Sequence, residues 1–325
     1  MARVVKVHAY GGPEALQVED ADPGRPAKGE ALIRQSAIGL NFIDVYHRTG
    51  LYPQPSMPFT PGMEGAGVVE AVGEGVSDLK PGDRVAYAGT LGGYAEMRRI
   101  PADRLVKVPA AIDDKTAAAM MLQGMTVEYL LCRTFKAGPG TTMLLHAAAG
   151  GVGLIACQWA KALGATIIGT VGSAEKAALA KAHGATHTID YTKEDFVQRV
   201  KEITKGEGCD VVYDSIGKDT FPGSLDCLKP MGMWVCFGQA SGPIPPFNMG
   251  ILAQKGSLFA TRPTLMTYTA KRADLVASAN ALFKMVESGK VKIEINQTYP
   301  LSKVADAHRD LEARKTTGST VLLPG

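Results

Sequence analysis

The first 131 residues of this 325-residue chain contain no cysteine. The five that follow, Cys132, Cys157, Cys209, Cys227 and Cys236, form no C-x-x-C pair. That argues against a clustered-thiolate metal lobe and a paired-thiol redox motif, and the chain reads as a cytoplasmic protein with reduced, structural cysteines. Long apolar runs are missing too: none approaches the roughly 18 residues of a membrane helix, so no membrane association is expected. Met1–Val7 alternates like a strand and lacks the apolar core of a signal peptide. Charge of one sign is not in excess. A net charge of +3 without a basic stripe makes a nucleic-acid partner an unfavoured reading. There is no low-complexity tract and no internal repeat. With 46% hydrophobic and 21% charged residues, the composition is that of a soluble globular protein. The length suits two domains.

What is present is organised around residues 142–164. Thr142-Met143-Leu144-Leu145-His146 reads as a short buried strand, Ala147–Gly153 as a tight turn, and the residues to Gly164 as a helix. Ala147, Gly150 and Gly153 give the spacing A-x-x-G-x-x-G. Small residues there let the backbone approach a pyrophosphate. The helix that follows offers unpaired N–H groups and the positive end of its dipole. A glycine triplet alone says little, but a second strand, Thr166–Val171, follows and completes a βαβ context. Ala147, Gly150, Gly151, Val152 and Gly153 are therefore expected to hold a dinucleotide. An NAD site places an Asp or Glu about 20 residues past the glycines, against the ribose 2′-hydroxyl. Here the second strand ends Thr170-Val171-Gly172-Ser173 with no acid at its tip, and Lys176 follows Glu175. A hydroxyl and an ammonium suit a 2′-phosphate, and Tyr191 at the end of the next strand adds a phenolic donor. Alone, Lys176 would read as a solvated helix residue. With the missing acid, the set Gly172, Ser173, Lys176 and Tyr191 points to NADPH.

Either side of this unit the rhythm differs. Residues 1–122 read as many short strands punctuated by Gly and Pro: Arg3–Tyr10, Leu16–Glu19, Glu30–Ile38, Gly65–Val72, Arg84–Tyr87, Tyr94–Ile100 and Leu105–Val108. Asn41–Thr49 reads as a short helix with Asn41 as N-cap and Gly50 as stop. From residue 123, strands Thr142–His146, Thr166–Val171, Thr186–Asp190, Asp210–Ser215, Trp234–Phe237 and Ser257–Ala260 alternate with helices Val152–Leu163, Ala174–His183, Glu194–Thr204 and Thr220–Leu228. Such alternation gives a doubly wound parallel sheet. The tail, with helix Arg272–Glu287, strand Glu294–Tyr299, helix Val304–Ala313 and strand Thr320–Leu323, no longer fits that repeat. The expected fold is α/β: a β-rich domain from residues 1–122 plus 265–325, and a Rossmann domain from residues 123–264. Gly256–Ala260 would be an apolar edge strand open to pairing, or else covered by the C-terminal helix.

Several segments occur together: Gly11-Gly12-Pro13-Glu14, Asn41-Phe42-Ile43-Asp44-Val45-Tyr46, Gly50-Leu51-Tyr52-Pro53, Pro81-Gly82-Asp83-Arg84-Val85, Gln123-Gly124-Met125-Thr126 and Val212-Tyr213-Asp214-Ser215. On these and the Ala147–Gly153 turn, the chain resembles, nearly end to end, the zinc-independent quinone oxidoreductases. These are the zeta-crystallin-like branch of the medium-chain dehydrogenase/reductase superfamily. The resemblance implies a GroES-like catalytic domain completed by the C-terminal segment, a Rossmann domain, and NADPH-dependent reduction of quinones in an interdomain cleft. It also implies a homodimer joined through the Rossmann domains, for which the edge strand is the candidate. Zinc-dependent relatives place Cys, His-Glu and a third ligand where this chain has Asn41, Met63-Glu64 and Gln123. A Met and two amides do not make a zinc site, and no metal is expected; His47 and Glu64 are the available adventitious donors.

Without a Lewis acid, the acceptor must take hydride readily, and a quinone gains aromaticity by doing so. The resemblance places Phe42, Ile43, Asp44 and Tyr46 on one side of the nicotinamide and Thr126 and Tyr129 on the other. Ser215, Phe237, Gly238, Gln239, Thr261, Arg262 and Pro263 would wrap it, and Thr317 would close the site. On the substrate side, Asn41 would bond a quinone carbonyl or serve only as an N-cap. Tyr46 and Tyr52 would stack on the acceptor or simply pack at a Pro-rich loop. Arg262 would contact cofactor or substrate, or form an ion pair. No essential acid is assigned, and transfer as a hydride or as single electrons stays open. His47 reads as a solvated helix residue and His146 as structural. Two alternatives remain: an NADPH-dependent reductase of α,β-unsaturated aldehydes or ketones, and a non-catalytic protein that binds NADPH and RNA.

Overall fold

The computed structural model describes residues 1–325, which divide into two compact units. One comprises Met1–Met125, Tyr268–Glu287 and Ile293–Gly325, the other Thr126–Thr267 and Ser288–Lys292. In chain order the elements of the first are β1 (Ala2–Lys6), β2 (Gln17–Ala21), β3 (Glu30–Leu40), α1 (Phe42–Thr49), β4 (Glu64–Val72), β5 (Arg84–Ala88), β6 (Met97–Pro101) and β7 (Val106–Lys107), and α2 (Asp114–Tyr129) follows. Next come β8 (Thr142–Leu145), α3 (Gly151–Ala162), β9 (Thr166–Val171), α4 (Ala174–Ala182), β10 (His187–Asp190), α5 (Phe196–Ile203), β11 (Cys209–Asp214), α6 (Gly223–Asp226), β12 (Leu228–Cys236), α7 (Gly250–Gln254) and β13 (Phe259–Thr261). The chain ends with α8 (Leu265–Tyr268), α9 (Arg272–Glu287), β14 (Ile295–Pro300), α10 (Val304–Glu312) and β15 (Ser319–Leu323).

In the first unit β3 is the spine of the sheet. The strand path is β14-β15-β3-β4-β5-β7, and β6 also pairs with β3. The N-terminal half of β3 takes β6, from Glu30 opposite Pro101 to Arg34 opposite Met97. Its C-terminal end takes β15, with Ile38 opposite Leu322 and Leu40 opposite Thr320. Ile33 enters a core with Val69, Val85, Ile100 and Leu105, while Ile38 and Leu40 enter another with Val5, Val7, Tyr94 and Leu322. Helix α1 leaves β3 directly. Asn41 is its N-cap, and Gly50 ends it in the left-handed region at φ 79°. Helix α2 was not foreseen in the sequence. Ala117–Met121 are all fully buried, so the helix is apolar all round and shows no amphipathic period.

The second unit holds a six-stranded sheet in the order β10-β9-β8-β11-β12-β13, every pair parallel. The order reverses between β8 and β11, the point where such sheets bind ligands outside their carboxyl ends. Leu144, Ile168, Ile189, Val212, Leu225 and Trp234 form its core.

Three of the differences from the sequence expectation have a clear backbone cause. The helix expected over Thr220–Leu228 is only the four-residue α6, because Pro222 lacks an N–H and the preceding residues turn back onto Asp214. The strand expected at Ser257–Ala260 is Phe259–Thr261, because Gly256 and Ser257 have φ of 113° and 55°, which no strand accepts. The strand expected from Tyr94 begins at Met97, since Tyr94 and Glu96 send their N–H groups to Pro61 and Arg3 instead.

Candidate active site

The carboxyl ends of β8 to β13 gather one set of sequence-selected residues. Ala147 adopts φ 57°, and Gly150 caps α3 at φ −78°, ψ 177° without any side-chain cap. By contrast, Ser173 caps α4 by accepting the Lys176 N–H at 3.2 Å, and Asp195 caps α5 by accepting from Val197 and Gln198. Helix α3 thus opens on backbone donors that its own side chains do not satisfy, the condition an anion fulfils. A Cβ on Gly153 would lie 2.4 Å from the Ala147 carbonyl oxygen, so the close packing of helix on turn requires glycine there. At Gly150 the nearest atom is 3.4 Å away, and Gly151 and Val152 are half-exposed. The residues present fit a dinucleotide pyrophosphate.

Beside the turn, the tip of β9 carries no acid. Tyr191 follows β10, donates its N–H to Val171 at 3.1 Å, and is exposed. A Cβ on Gly172 would fall 2.7 Å from the Tyr191 hydroxyl, so the phenol lies directly over that backbone. Lys176 is half-exposed on the first turn of α4. The carboxyl of exposed Glu175 is held below its usual value by its own N–H and by the Ser173 hydroxyl. Farther along, Phe237 and Gly238 donate to the Asp214 carbonyl at 2.8 and 3.3 Å. A Cβ on Gly238 would meet the Ser215 carbonyl oxygen at 2.6 Å. Half-exposed Gln239 comes next, and Thr261 and Arg262 follow the same edge. Arg262 is exposed and donates to the Pro263 carbonyl at 3.4 Å. Thr126 and Tyr129, on α2, are buried.

In the first unit the residues around α1 form a second set. The Asn41 Nδ2 donates to Glu64 Oε1 at 2.6 Å, and its Oδ1 accepts from Gln123 Nε2 at 3.1 Å. Gln123 Oε1 in turn accepts from the Ser319 hydroxyl at 2.8 Å. Asn41 occupies the N-cap position with its amide also bonded to Glu64 and Gln123, and Asp44 at N3 accepts the Asn41 N–H at 3.0 Å. Tyr46 and Tyr52 meet edge to face with centroids 5.1 Å apart, and Phe42 lies 5.8 Å from Tyr46. Ile43 is half-buried. Thr317, two residues before β15, accepts from Asn296 at 2.9 Å.

Burial sets the electrostatics here. It pushes the Glu64 carboxyl up to about 8 against the Asn41 and Leu122 hydrogen bonds, and Asp44 up to about 7 against those from Asn41 and Tyr94. Sequence reasoning missed the relay beyond Asp44. The Tyr94 hydroxyl donates to Asp44 at 2.8 Å and lies 3.0 Å from His308 Nε2. Arg48 reaches His308 Nδ1 at 3.0 Å and grips Glu312 through both terminal nitrogens. Donation by Arg48 leaves Nε2 of His308 protonated, so the relay runs one way: Arg48, His308, Tyr94, Asp44. Burial, then Arg48, drives His308 down to about 3, so the ring stays neutral. No local sequence signal links residues this far apart.

Two sequence readings are corrected. His47 is not a solvated helix residue: it is 7% exposed, packs 6.1 Å from the Tyr52 ring, and burial lowers it to about 4. Glu64 is not an available metal donor, since it is fully buried and both its oxygens accept N–H groups. With two amides and a hydrogen-bonded carboxyl, the Asn41–Glu64–Gln123 set lacks the thiolate and imidazole chemistry of a zinc site.

Comparison with known proteins adds three findings. A zinc-binding dehydrogenase profile matches residues 151–276, and an alcohol dehydrogenase GroES-like domain profile matches residues 27–110. The quinone oxidoreductase of Pseudomonas aeruginosa is 55% identical over the whole of both chains, and a 2-haloacrylate reductase of a Burkholderia species is 46% identical over 100% of this chain and 99% of its own. The crystal structure of Escherichia coli quinone oxidoreductase complexed with NADPH superposes with a TM-score of 0.98 at 50% identity, covering 99% of this chain and 100% of that one.

Proposed function

The chain belongs to the zinc-independent quinone oxidoreductases of the medium-chain dehydrogenase/reductase superfamily, and from that premise we propose that it reduces quinones with NADPH, using the two residue sets described above. The observation that carries the cofactor placement is the uncapped start of α3 after Ala147, beside a β9 tip without an acid. The N–H groups of Gly151, Val152 and Gly153 would hold the pyrophosphate. Ser173, Lys176 and Tyr191 would hold the 2′-phosphate, and Ser215, Phe237, Gly238, Gln239 and Thr261–Pro263 would line the path toward the nicotinamide. Bound NADPH supplies the reducing equivalents at its nicotinamide ring.

The protein's own contribution is orientation and exclusion of water. The Tyr46–Tyr52 pair offers an aromatic surface and two phenolic hydroxyls. Asn41 is held by two partners, which fixes its amide for one further donation to an acceptor carbonyl. The 46% identical 2-haloacrylate reductase makes an activated alkene the second acceptor class to examine.

The reading extends to assembly and place. Strand β13 is the sheet edge, with Phe259 58% exposed, and Met231 and Met249 are exposed at 71% and 75%. A C2 homodimer that extends the sheet across this edge would cover them. All five cysteines are free, and burial pushes Cys157 up to about 12 and Cys236 to about 11, which suits a reducing cytoplasm. No helix is long and apolar enough to cross a membrane.

The test is NADPH oxidation followed optically with a benzoquinone, a larger naphthoquinone, an enal and a 2-haloacrylate, with and without chelator. Chelator-insensitive turnover led by a quinone is expected. Lys176→Met should raise KM for NADPH about tenfold and leave that for NADH nearly unchanged, the loss of one charge-assisted contact. Tight NADPH binding with no quinone turnover would defeat the reading.

A further inference from the structure

His146 has no place in the chemistry above, yet it sits at the centre of a chain of hydrogen bonds. It follows β8 directly, is 2% exposed, and packs edge-on against the Phe196 ring with centroids 5.2 Å apart. Its Nε2 lies 3.1 Å from the Ser224 hydroxyl, and its Nδ1 lies 3.1 Å from the Thr170 hydroxyl. The Ser224 hydroxyl donates to Asp214 Oδ2 at 2.8 Å. Thr170 Oγ1 accepts the Ala147 N–H at 3.3 Å, and the Thr170 carbonyl accepts the Ala148 N–H at 3.0 Å.

Donor logic fixes the direction of every link. Asp214 is 0% exposed and accepts from the Ile216 and Gly217 N–H groups, the Thr220 and Ser224 hydroxyls and the Trp234 indole. Burial works to raise its carboxyl, but the His146 ring and these donors override it and the net shift is downward. It is an ionised acceptor. Ser224 must therefore donate to it and accept from His146, which puts the imidazole proton on Nε2. Burial lowers His146 below its usual value, so the ring is neutral; with Nε2 carrying its proton, Nδ1 is an acceptor, Thr170 donates to it, and the remaining Thr170 lone pairs face the Ala147 N–H. Each hydroxyl gives one proton and receives one. Because the serine stands between imidazole and carboxylate, this is not the order of a nucleophilic triad.

Ala147 needs such support. Its φ of 57° is costly for a residue with a Cβ, and it is the first residue of the pyrophosphate turn. We propose that Asp214, Ser224, His146 and Thr170 form a buried positioning relay that holds Ala147 in the left-handed conformation and so presets the turn for the dinucleotide pyrophosphate. This deepens the cofactor reading and rests on it. Asp214 and Ser224 come from β11 and α6, so the relay ties both sides of the topological switch point to one turn.

The test uses the full-length apo protein, with binding and NMR readouts rather than turnover. Histidine ¹⁵N shifts should show His146 as the Nε2–H tautomer, and Ser224→Ala should release it to a mixture. Thr170→Val keeps the shape of the side chain and removes the acceptor. It should raise the NADPH Kd about tenfold, speed exchange of the Ala147 amide, and leave binding of adenosine 2′-phosphate unchanged, since that fragment needs only the 2′-phosphate site. An Nδ1–H tautomer, an unchanged NADPH Kd in Thr170→Val, or equal weakening of NADPH and adenosine 2′-phosphate would overturn the relay. Gly150→Asp separates the two readings. Its backbone suits an aspartate N-cap, so the variant should fold at least as well as wild type while its carboxylate repels the pyrophosphate. If Gly150→Asp binds NADPH normally, the turn does not hold the cofactor and the relay loses its role. If it loses NADPH while Thr170→Val does not, only the relay fails. Should Thr170→Val fail to fold, Ser224→Ala carries the same comparison.

Discussion

Asp44 is fully buried, and burial holds its carboxyl near 7 rather than at the ordinary 3.8. The folded protein keeps this proton over a range in which the unfolded chain has lost it. The resulting stabilisation is complete below about pH 4 and disappears as the pH rises through about 7. Glu64 extends the same loss toward about 8. Denaturant unfolding should show wild-type stability falling between about pH 4 and 8 by a few kcal/mol. Asp44→Asn keeps an oxygen for the Asn41 and Tyr94 donors and should flatten that slope. Parallel slopes for wild type and variant would refute this. The residue identities at these positions were legible in the chain, and Asn41 at the N-cap position was anticipated. Their states were not. Nothing local in Asn41-Phe42-Ile43-Asp44 tells whether a carboxyl faces water or is buried and bonded to Tyr94.

Among the elements, agreement follows the strength of the local code. Helix α1 has a capping position, an amphipathic body and a glycine stop, and it forms as the sequence indicates. Helix α5 was expected from Glu194 but starts at Phe196, because the Asp195 side chain takes the Val197 and Gln198 N–H groups at 2.8 and 3.1 Å. Asp195→Ala should cost about 1 kcal/mol, visible as a lower denaturant midpoint with little change in slope. No loss of stability would mean that the start of the helix is set by packing alone. Helix α6 and strand β13 came out shorter than expected for one reason: the backbone needs of Pro222, Gly256 and Ser257 outweigh the apolar pattern around them.

At the scale of the whole molecule, the two main sheets end differently. Strand β15 completes the sheet of the first unit against β3, and β13 leaves the parallel sheet with an open edge. That edge carries the assembly prediction. Phe259→Lys places a charge on the exposed edge, and sedimentation velocity should find wild type as a dimer and the variant shifted to monomer. A monomeric wild type would remove the edge-pairing proposal.

The sequence by itself determined the pattern of alternating strands and helices, the glycine turn before α3 and the missing acid at the tip of β9. Each is a local matter of backbone conformation, periodicity or charge, written in neighbouring residues. Only the tertiary structure decided which polar side chains are sealed from water and which partners complete them: Asn41 with Glu64 and Gln123, Tyr94 with Asp44 and His308, His146 with Thr170 and Ser224. The cost of burying a polar group depends on everything that surrounds it, and those surroundings come together only when strands far apart in the chain pair and pack.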